Sequence, residues 1–180
     1  MSIEISIFDP GKTYFGRKQF DCEHPVINKF VRESLPSQVK RRLSVAYVLT
    51  DSDQNDQFAG FFTIANHAID MSALSALRLG SLPKKIPCAR LIMLGVDKAY
   101  KGRDLGRRLM KQALAITQQS SIQMGCYGLY LDADPAAVGF YEKLGFLLLE
   151  GDKSPEPSPM FVAVKSIAGL PPHLTAPLSQ

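Results

Sequence analysis

The chain has 180 residues, of which 46% are hydrophobic and 21% are charged, and these values are typical of one ordinary globular domain. No stretch approaches the roughly 20 consecutive apolar residues that a membrane span requires. The residues after Met1 do not form a basic segment followed by an apolar one, so no export signal is predicted. We therefore expect a single domain over 1–167, a loosely ordered tail over 168–180, and no membrane segment.

Charge and cysteine content narrow the function further. The formal net charge of +4 favours anionic ligands such as a nucleotide or an RNA backbone. The three cysteines, Cys22, Cys88 and Cys126, are an odd number without the spacing of metal ligands, which predicts reduced thiols. A cytoplasmic protein without a bound metal is the expectation.

The first half of the chain predicts a helix followed by a β-hairpin. Polar residues at 21–24 precede Pro25, which suits a first helical turn, and apolar residues then recur at helical spacing up to Val31. Val45–Leu49 and Phe58–Ile64 are rich in strand-forming residues and flank a polar turn, as in an antiparallel hairpin. Beyond the hairpin we predict a helix over 72–79 and a loop over 83–87.

The second half of the chain alternates between strands and helices. Arg90–Val96 is a nearly continuous apolar run of strand length, typical of a strand that is covered on both faces. The predicted elements that follow it are a helix from Leu105 to a polar end at 118–121, a strand at 127–131, a helix at 135–144, and strands at 146–149 and 160–164. This order predicts an α+β fold in which a mixed sheet of about six to seven strands is flanked by helices.

A glycine-containing loop links the strand that ends at Val96 to the helix that begins near Leu105. Backbone N–H groups at such a helix start point toward one spot, where the helix dipole adds partial positive charge. Phosphate oxygens are natural ligands for this arrangement, and basic side chains nearby would bind a diphosphate. The predicted diphosphate-binding residues are Lys101, Gly102, Arg103, Asp104, Leu105, Gly106 and Arg107.

In its surroundings, this loop resembles that of the GNAT superfamily of N-acetyltransferases. The family's loop has Gln or Arg, two variable residues, Gly, one variable residue, and then Gly or Ala. Those positions fall on Lys101, Asp104 and Gly106, so an aspartate replaces the first glycine. The added β-carbon crowds a close approach, and the carboxylate repels phosphates unless Arg103 or Arg107 pairs with it. The resemblance implies acetyl-CoA as the co-substrate, bound more weakly than by an intact loop.

The segment Asp134–Phe146 also resembles the family, in its last helix and the strand that follows. The resemblance implies that Tyr141 lies near the cofactor sulfur, where a phenol with a pKa near 10 can protonate the departing thiolate. On the strand before the loop, it implies that backbone groups pair with the pantetheine arm and polarise the acetyl carbonyl. Gly95 fits a bulge or a close backbone approach, or is a glycine tolerated in a buried strand. The additional cofactor-binding residues are Leu94, Gly95, Val96, Asp134, Ala137 and Phe140.

The sequence leaves the general base open. An α-amine has a pKa near 8, so a useful neutral fraction exists at pH 7 and no base is strictly needed. The residues that could act as a base are Asp97, Asp132, Asp134 and His67.

Over nearly its whole length the chain resembles one branch of the superfamily, the acetyltransferase toxins of bacterial toxin–antitoxin modules. Matching segments include Phe20–Glu23, Leu94–Lys98 and Met124–Leu129. The resemblance implies aminoacyl-tRNA as the amine acceptor and a ribbon-helix-helix antitoxin as a partner, and it allows a homodimer. The chain departs from that branch at Asp104 and at Ile92–Met93, where the toxins usually have Gly-Arg. The residues we expect to contact tRNA are Arg41, Arg42, Lys84 and Lys85.

Two other functions stay open at this point. The same chemistry could act on a small polyamine or on a protein amine. Alternatively, the altered loop could leave a non-catalytic protein that binds a cofactor or a partner.

Overall fold

Seven strands form one mixed sheet in the part of the chain that the computed structural model describes, residues 2–149 and 157–167. The strands are β1 (Ile3–Ile7), β2 (Val45–Asp51), β3 (Gln57–Asp70), β4 (Lys85–Val96), β5 (Gly128–Ala133), β6 (Leu147–Leu148) and β7 (Ser158–Ala163). Their order across the sheet is β1-β2-β3-β4-β5-β7-β6. β4 pairs with β5 in parallel, whereas the β1–β2, β2–β3, β5–β7 and β6–β7 pairs are antiparallel. The predicted α+β class with a mixed sheet is confirmed.

Helices occupy the connections between the strands. The α-helices are α1 (Pro25–Lys29), α2 (Leu35–Lys40), α3 (Leu105–Gln123) and α4 (Val138–Glu142), and a π-helical stretch, Phe30–Ser34, joins α1 to α2. Short 3-10 helices lie at Arg17–Gln19, Ser52–Gln54, Met71–Leu77, Lys98–Tyr100, Pro135–Ala137 and Val164–Ser166. No helix within the described ranges combines the length and the apolar character that crossing a bilayer requires.

The chain divides into two units, and residues 1–65 and 92–113 make up the first. Its core packs aromatic rings from the N-terminal segment against β2 and β3, as in the edge-to-face contact of Phe20 with Phe58 at 5.4 Å. Val48 belongs to this core, whereas the next residue, Leu49, lies with Leu109 of α3 beside Gly60. Because successive strand residues point to opposite faces, both faces of this part of the sheet are covered.

The second unit comprises the described parts of 66–91 and 114–180. Its core joins the end of β3 and the start of β4 to β7, through Ile69, Ile86 and Phe161. Leu74, from the 3-10 helix after β3, packs into the same cluster. This helix therefore contributes to the second core.

Several predicted boundaries are wrong. The loop expected over 83–87 is already strand from Lys85. Pro87 has no N–H to donate, but its carbonyl accepts a hydrogen bond from Tyr127 N at 2.8 Å. The helix expected to stop at 118–121 continues to Gln123. The helix expected over 72–79 is a 3-10 helix, and β1 was not predicted at all. The tail predicted over 168–180 lies outside the described residues.

Candidate active site

The end of β4 forms the first part of the site. The parallel ladder with β5 pairs Ala89–Leu91 with Leu129–Leu131, and β4 continues for five more residues, through Leu94, Gly95 and Val96. These are the strand residues that the sequence assigns to the pantetheine arm.

Other residues pack so closely against Gly95 that they leave little room for a larger side chain at this position. A β-carbon at this position would lie 3.1 Å from Cγ2 of Ile27 and 3.2 Å from Cζ of Phe20. The carbonyl oxygen of Gly95 in turn lies 3.0 Å from the β-carbon position of Gly60. The atoms nearest to the β-carbon position of Gly95 thus belong to side chains of residues 20–27, a reason for a glycine that the sequence did not suggest.

A rigid turn connects β4 to the loop. Asp97 caps the 3-10 helix Lys98–Tyr100, because its carboxylate accepts a hydrogen bond from Ala99 N at 2.9 Å. Tyr100 is buried, and its hydroxyl donates to Asp51 at 3.2 Å. The guanidinium of Arg103 lies 5.3 Å from the centre of the Tyr100 ring. The Asp97 cap and the buried Tyr100 therefore hold the residues that precede the loop.

The loop itself passes through two left-handed residues before α3 begins. Gly102 has a φ of 75° and Asp104 a φ of 57°. The backbone ladder of α3 begins with the bond from Arg108 N to Asp104 O at 3.1 Å. The N–H groups of 105–107 precede that ladder, and they are the donors that a helix start offers to an anion. Although Asp104 replaces a glycine of the family pattern, it adopts a backbone conformation that glycine favours.

Carboxylates accompany the cations of this loop. The Oδ1 atom of Asp104 lies 3.4 Å from Nε of Arg107, which is one of the two pairings that the sequence suggested. Lys101 forms an ion pair with Glu23, a residue far away in the sequence. The loop therefore has positive side chains whose charges are partly balanced within the protein.

A helix in the second unit carries the predicted general acid. Asp134 caps the 3-10 helix that precedes α4, accepting a hydrogen bond from Ala136 N at 3.0 Å. Tyr141 on α4 is buried, and its ring makes edge-to-face contacts with Phe140 at 5.1 Å and Phe146 at 5.7 Å. Burial raises the pKa of Tyr141 to about 12, so the phenol keeps its proton at neutral pH. Ala137 directly precedes α4.

The second unit also holds a polar cluster that the sequence did not reveal. Asp132 accepts hydrogen bonds from the hydroxyl of Tyr130 at 2.6 Å and from the guanidinium of Arg90 at 2.7 Å. The imidazole of His67 lies 5.4 Å from the Tyr130 ring, measured between ring centres. The residues at 130 and 132 share one face of β5, and this period-two spacing is the only signal in the sequence that could have linked them.

A cleft of about 490 Å³ opens beside this cluster. His67 and Tyr130 line it together with Asp70, Ser72 and Leu149. Burial, with a further contribution from the positive charge of Arg90, lowers the pKa of His67, which favours the neutral imidazole at pH 7. Among the four residues considered as bases, both carboxylate oxygens of Asp97 and of Asp132 already accept hydrogen bonds.

The comparison with family models decides the classification. Residues 27–146 match the model of the acetyltransferase (GNAT) family. The chain belongs to the GNAT acetyltransferase family. The resemblance predicted from the loop and from the segment around Tyr141 is therefore confirmed, and so is the expected acetyl-CoA-dependent N-acetyltransferase at the level of the family. Among the described residues, no group of three or more His, Cys, Asp or Glu side chains could hold a metal ion.

Solved structures resemble this GNAT chain over most of its length. A crystal structure of a bacterial toxin is 35% identical, with a TM-score of 0.88, and the match covers 92% of this chain and 93% of the toxin. AtaT complexed with acetyl-methionyl-tRNAfMet is 26% identical, with a TM-score of 0.82 and coverage of 92% and 97%. AtaTR bound with acetyl-CoA is 28% identical, with a TM-score of 0.78 and coverage of 92% and 95%. The toxin branch predicted from the sequence is thus found among the structural neighbours.

A curated relative matches a shorter segment. Glucosamine 6-phosphate N-acetyltransferase 1 of Dictyostelium discoideum is 34% identical over 86 residues, which are 44% of this chain and 52% of that enzyme. The match thus spans about half the length of the relative. This partial similarity supports the family.

Proposed function

We propose that this protein transfers the acetyl group of acetyl-CoA to a primary amine, and that the amine is the α-amino group of an aminoacyl-tRNA. The loop after β4 is the observation that carries the proposal. Asp104 keeps a left-handed backbone, with a φ of 57°, and α3 starts at the next residue. The N–H groups at this helix start, with Lys101, Arg103 and Arg107, would bind the diphosphate of the cofactor.

In the proposed reaction, bound acetyl-CoA supplies a thioester whose carbonyl carbon the amine attacks. Backbone groups of Leu94, Gly95 and Val96 would orient the pantetheine arm by pairing with it like an added strand. Tyr141 would donate its phenolic proton to the sulfur as the carbon–sulfur bond breaks. The attacking nitrogen would release one proton to solvent as the amide forms, and the phenol would regain its proton from solvent. Its pKa, raised to about 12 by burial, supports this role, because a phenol that stays protonated remains available as an acid.

Two considerations favour aminoacyl-tRNA as the acceptor. AtaT, which resembles this chain along most of its length, has been solved with acetyl-methionyl-tRNAfMet. In addition, Arg41, Arg42, Lys84 and Lys85 are all exposed, as phosphate-binding side chains must be. Lys85 already pairs with Asp70 at 2.9 Å, so an RNA phosphate would have to replace that carboxylate.

An acetylation assay tests this proposal. Charged tRNA would be offered beside a panel of small amines and peptide amines, with labelled acetyl-CoA. The expected result is acetyl-aminoacyl-tRNA as the main product, formed about 100-fold more slowly by Tyr141→Phe. Preferential acetylation of a small amine would overturn the acceptor assignment but leave the chemistry in place.

Salt dependence tests the tRNA contacts separately. Each of Lys84→Ala and Lys85→Ala should weaken tRNA binding and reduce the slope of log K against log salt by about 1 if its side chain contacts a phosphate. Lys111→Ala, an exposed lysine on α3, is the matched control and should leave the slope unchanged. Acetyl-CoA affinity should stay the same in all three variants.

A small amine is the second candidate acceptor, favoured by the match to glucosamine 6-phosphate N-acetyltransferase. A non-catalytic binding protein is the third candidate function, and the absence of heat on titration with acetyl-CoA at millimolar concentration would favour it.

We also propose a cytoplasmic location, where acetyl-CoA and charged tRNA are available, and a ribbon-helix-helix antitoxin as the protein partner. Co-purification with a small DNA-binding protein encoded by a neighbouring gene would test the partner. A homodimer belongs to the same proposal, and sedimentation would test it.

A further inference from the structure

Glu23 is held in an unusual position beside the loop that follows β4. Its φ is 64°, a left-handed conformation that glycine adopts far more easily than glutamate. The carboxylate of Glu23 forms an ion pair with Lys101, and both side chains are more than half exposed, at 59% and 53%. Lys101 is the first residue of the predicted diphosphate loop, so its charge is already engaged by a carboxylate.

Hydrogen bonds fix the turn that carries Glu23. The N–H of Glu23 donates to Oδ1 of Asp21 at 2.9 Å, and the side-chain amide of Asn28 donates to the same oxygen at 2.8 Å. The other oxygen of Asp21 pairs with Nζ of Lys98 at 2.8 Å. Interaction with Lys98, followed by the hydrogen bonds from Glu23 and Asn28, holds the pKa of Asp21 well below its usual range.

The backbone of this turn is tied to the end of β4 as well. The N–H of Asp21 donates to Oδ2 of Asp97 at 3.0 Å, and the N–H of Lys98 donates to the carbonyl of Asp21 at 2.8 Å. Residues 21–23 are thus anchored to residues 97–98, three residues before Lys101. These bonds hold the backbone at Glu23 near the start of the loop, where its carboxylate reaches Lys101.

We propose that Glu23 sets the affinity for acetyl-CoA by competing with the diphosphate for Lys101. This inference rests on the proposed function, because it assumes that the diphosphate binds the loop. Binding would exchange one carboxylate partner of Lys101 for a phosphate oxygen, and the displaced carboxylate of Glu23 would stay close enough to repel the ligand. Asp104 and Arg107 form a second pair of the same kind, so two of the loop's cations are balanced by acidic residues at left-handed positions.

The Glu23–Lys101 ion pair is easy to displace, so Glu23 should change the affinity for acetyl-CoA only modestly. Exposed ion pairs are weak, and removing the competing carboxylate corresponds to about a two- to fivefold change in affinity. Exposed charges are also screened, and at about 1 M salt the Debye length falls to about 3 Å. The effect of Glu23 should therefore be greatest at low ionic strength.

Calorimetric titration with coenzyme A tests the inference in the 180-residue chain. Glu23→Gln keeps the length of the side chain and removes its charge, and it should tighten binding about two- to fivefold at low salt. Glu33→Gln removes the same charge from an exposed site on the π-helical stretch and should leave the affinity unchanged. In a Lys101→Gln background, Glu23→Gln should have a smaller effect, since the competition for Lys101 is absent and only the direct repulsion between the carboxylate and the diphosphate remains. Near-identical circular dichroism spectra and melting temperatures would confirm that each variant folds.

A ligand without the diphosphate separates competition from a structural role. With acetyl-CoA as the substrate, kcat/KM should be higher for Glu23→Gln than for wild type. With S-acetylpantetheine, the two proteins should have nearly the same kcat/KM. If wild type binds coenzyme A and Glu23→Gln binds it equally well, the inference is overturned and the proposed function stands. If wild type and all variants fail to bind coenzyme A, the proposed function is overturned together with the inference.

Discussion

The Oδ1 atom of Asp104 lies 3.4 Å from the Nε atom of Arg107, three residues further along and within the first turn of α3. The carboxylate belongs to a left-handed residue that directly precedes the helix. Its side chain is 74% exposed, so the carboxylate is directed toward solvent and Arg107 and is not buried under the loop. Asp104 thus adopts the left-handed backbone that glycine favours while its carboxylate stays exposed.

Asp104→Gly should tighten acetyl-CoA binding about fivefold, because it removes a negative charge near the phosphates and a β-carbon at a left-handed residue. Titration calorimetry at low salt is the measurement. Glycine also increases the freedom of the unfolded chain, which offsets the relief of strain, so the melting temperature should change little.

Asp104→Asn is the matched variant, since asparagine tolerates the left-handed region and carries no charge. Equal gains in the Asn and Gly variants would assign the effect to charge. A gain in the Gly variant alone would assign it to the β-carbon. If neither variant binds acetyl-CoA better than wild type, the carboxylate does not oppose the cofactor.

Tyr141→Phe should lower kcat by about 100-fold while acetyl-CoA affinity stays the same, because the variant loses a proton donor and keeps the buried ring. The aromatic contacts with Phe140 and Phe146 do not involve the hydroxyl, so stability should be nearly unchanged. Single-turnover kinetics and calorimetry together provide the test. Tyr47→Phe, at a half-buried tyrosine on β2, controls for loss of a phenol elsewhere, and a wild-type rate in Tyr141→Phe would exclude the residue as the acid.

The sequence predicted β4 and α3 better than it predicted the first strand, β1. Arg90–Val96 and the helix from Leu105 have strong apolar patterns, and both are present. β1 was missed although its residues alternate, because the strand is short, lies at the edge of the sheet, and pairs with β2 some forty residues later. A local pattern carries little information about such a distant pairing.

The candidate site was predictable only where its residues are close in sequence. The loop from Lys101 to Arg107 and the segment Asp134–Phe146 were proposed for the site from local patterns. The pairing of Glu23 with Lys101 joins residues 78 positions apart, and the bond from Arg90 to Asp132 spans 42. These contacts depend on chain folding, and composition or spacing alone cannot reveal them.

The pKa of Tyr141 predicts how activity responds to alkaline pH. Burial raises that pKa to about 12, whereas an unperturbed tyrosine ionises near pH 10. The wild-type kcat should therefore show no decline from loss of this proton up to about pH 10. A fall in kcat near pH 9, accompanied by tyrosinate absorbance that is missing in Tyr141→Phe, would contradict this.

The same shift predicts a change in stability, and its sign follows from the raised pKa. The folded protein binds the tyrosine proton more tightly than the unfolded chain, so the stabilisation is complete below about pH 10 and is lost as the pH rises toward 12. Between these values, the free energy of unfolding should fall more steeply in wild type than in Tyr141→Phe. Urea unfolding at several pH values measures both slopes, and parallel slopes would show that burial does not perturb this phenol.

Gly95→Ala should destabilise the protein by about 1–3 kcal/mol, because the new methyl group would overpack the contact with Ile27 and Phe20. The distances of 3.1 and 3.2 Å require these side chains to shift. Phe20 precedes the turn at Glu23 and Ile27 follows it, in α1. Gly139→Ala is the control, since nothing lies within 4 Å of its β-carbon position and alanine favours the helix by about 1 kcal/mol. Urea unfolding should therefore give opposite signs for the two substitutions. A stable Gly95→Ala variant with wild-type affinity for acetyl-CoA would mean that the packing of the N-terminal segment on β4 does not affect cofactor binding.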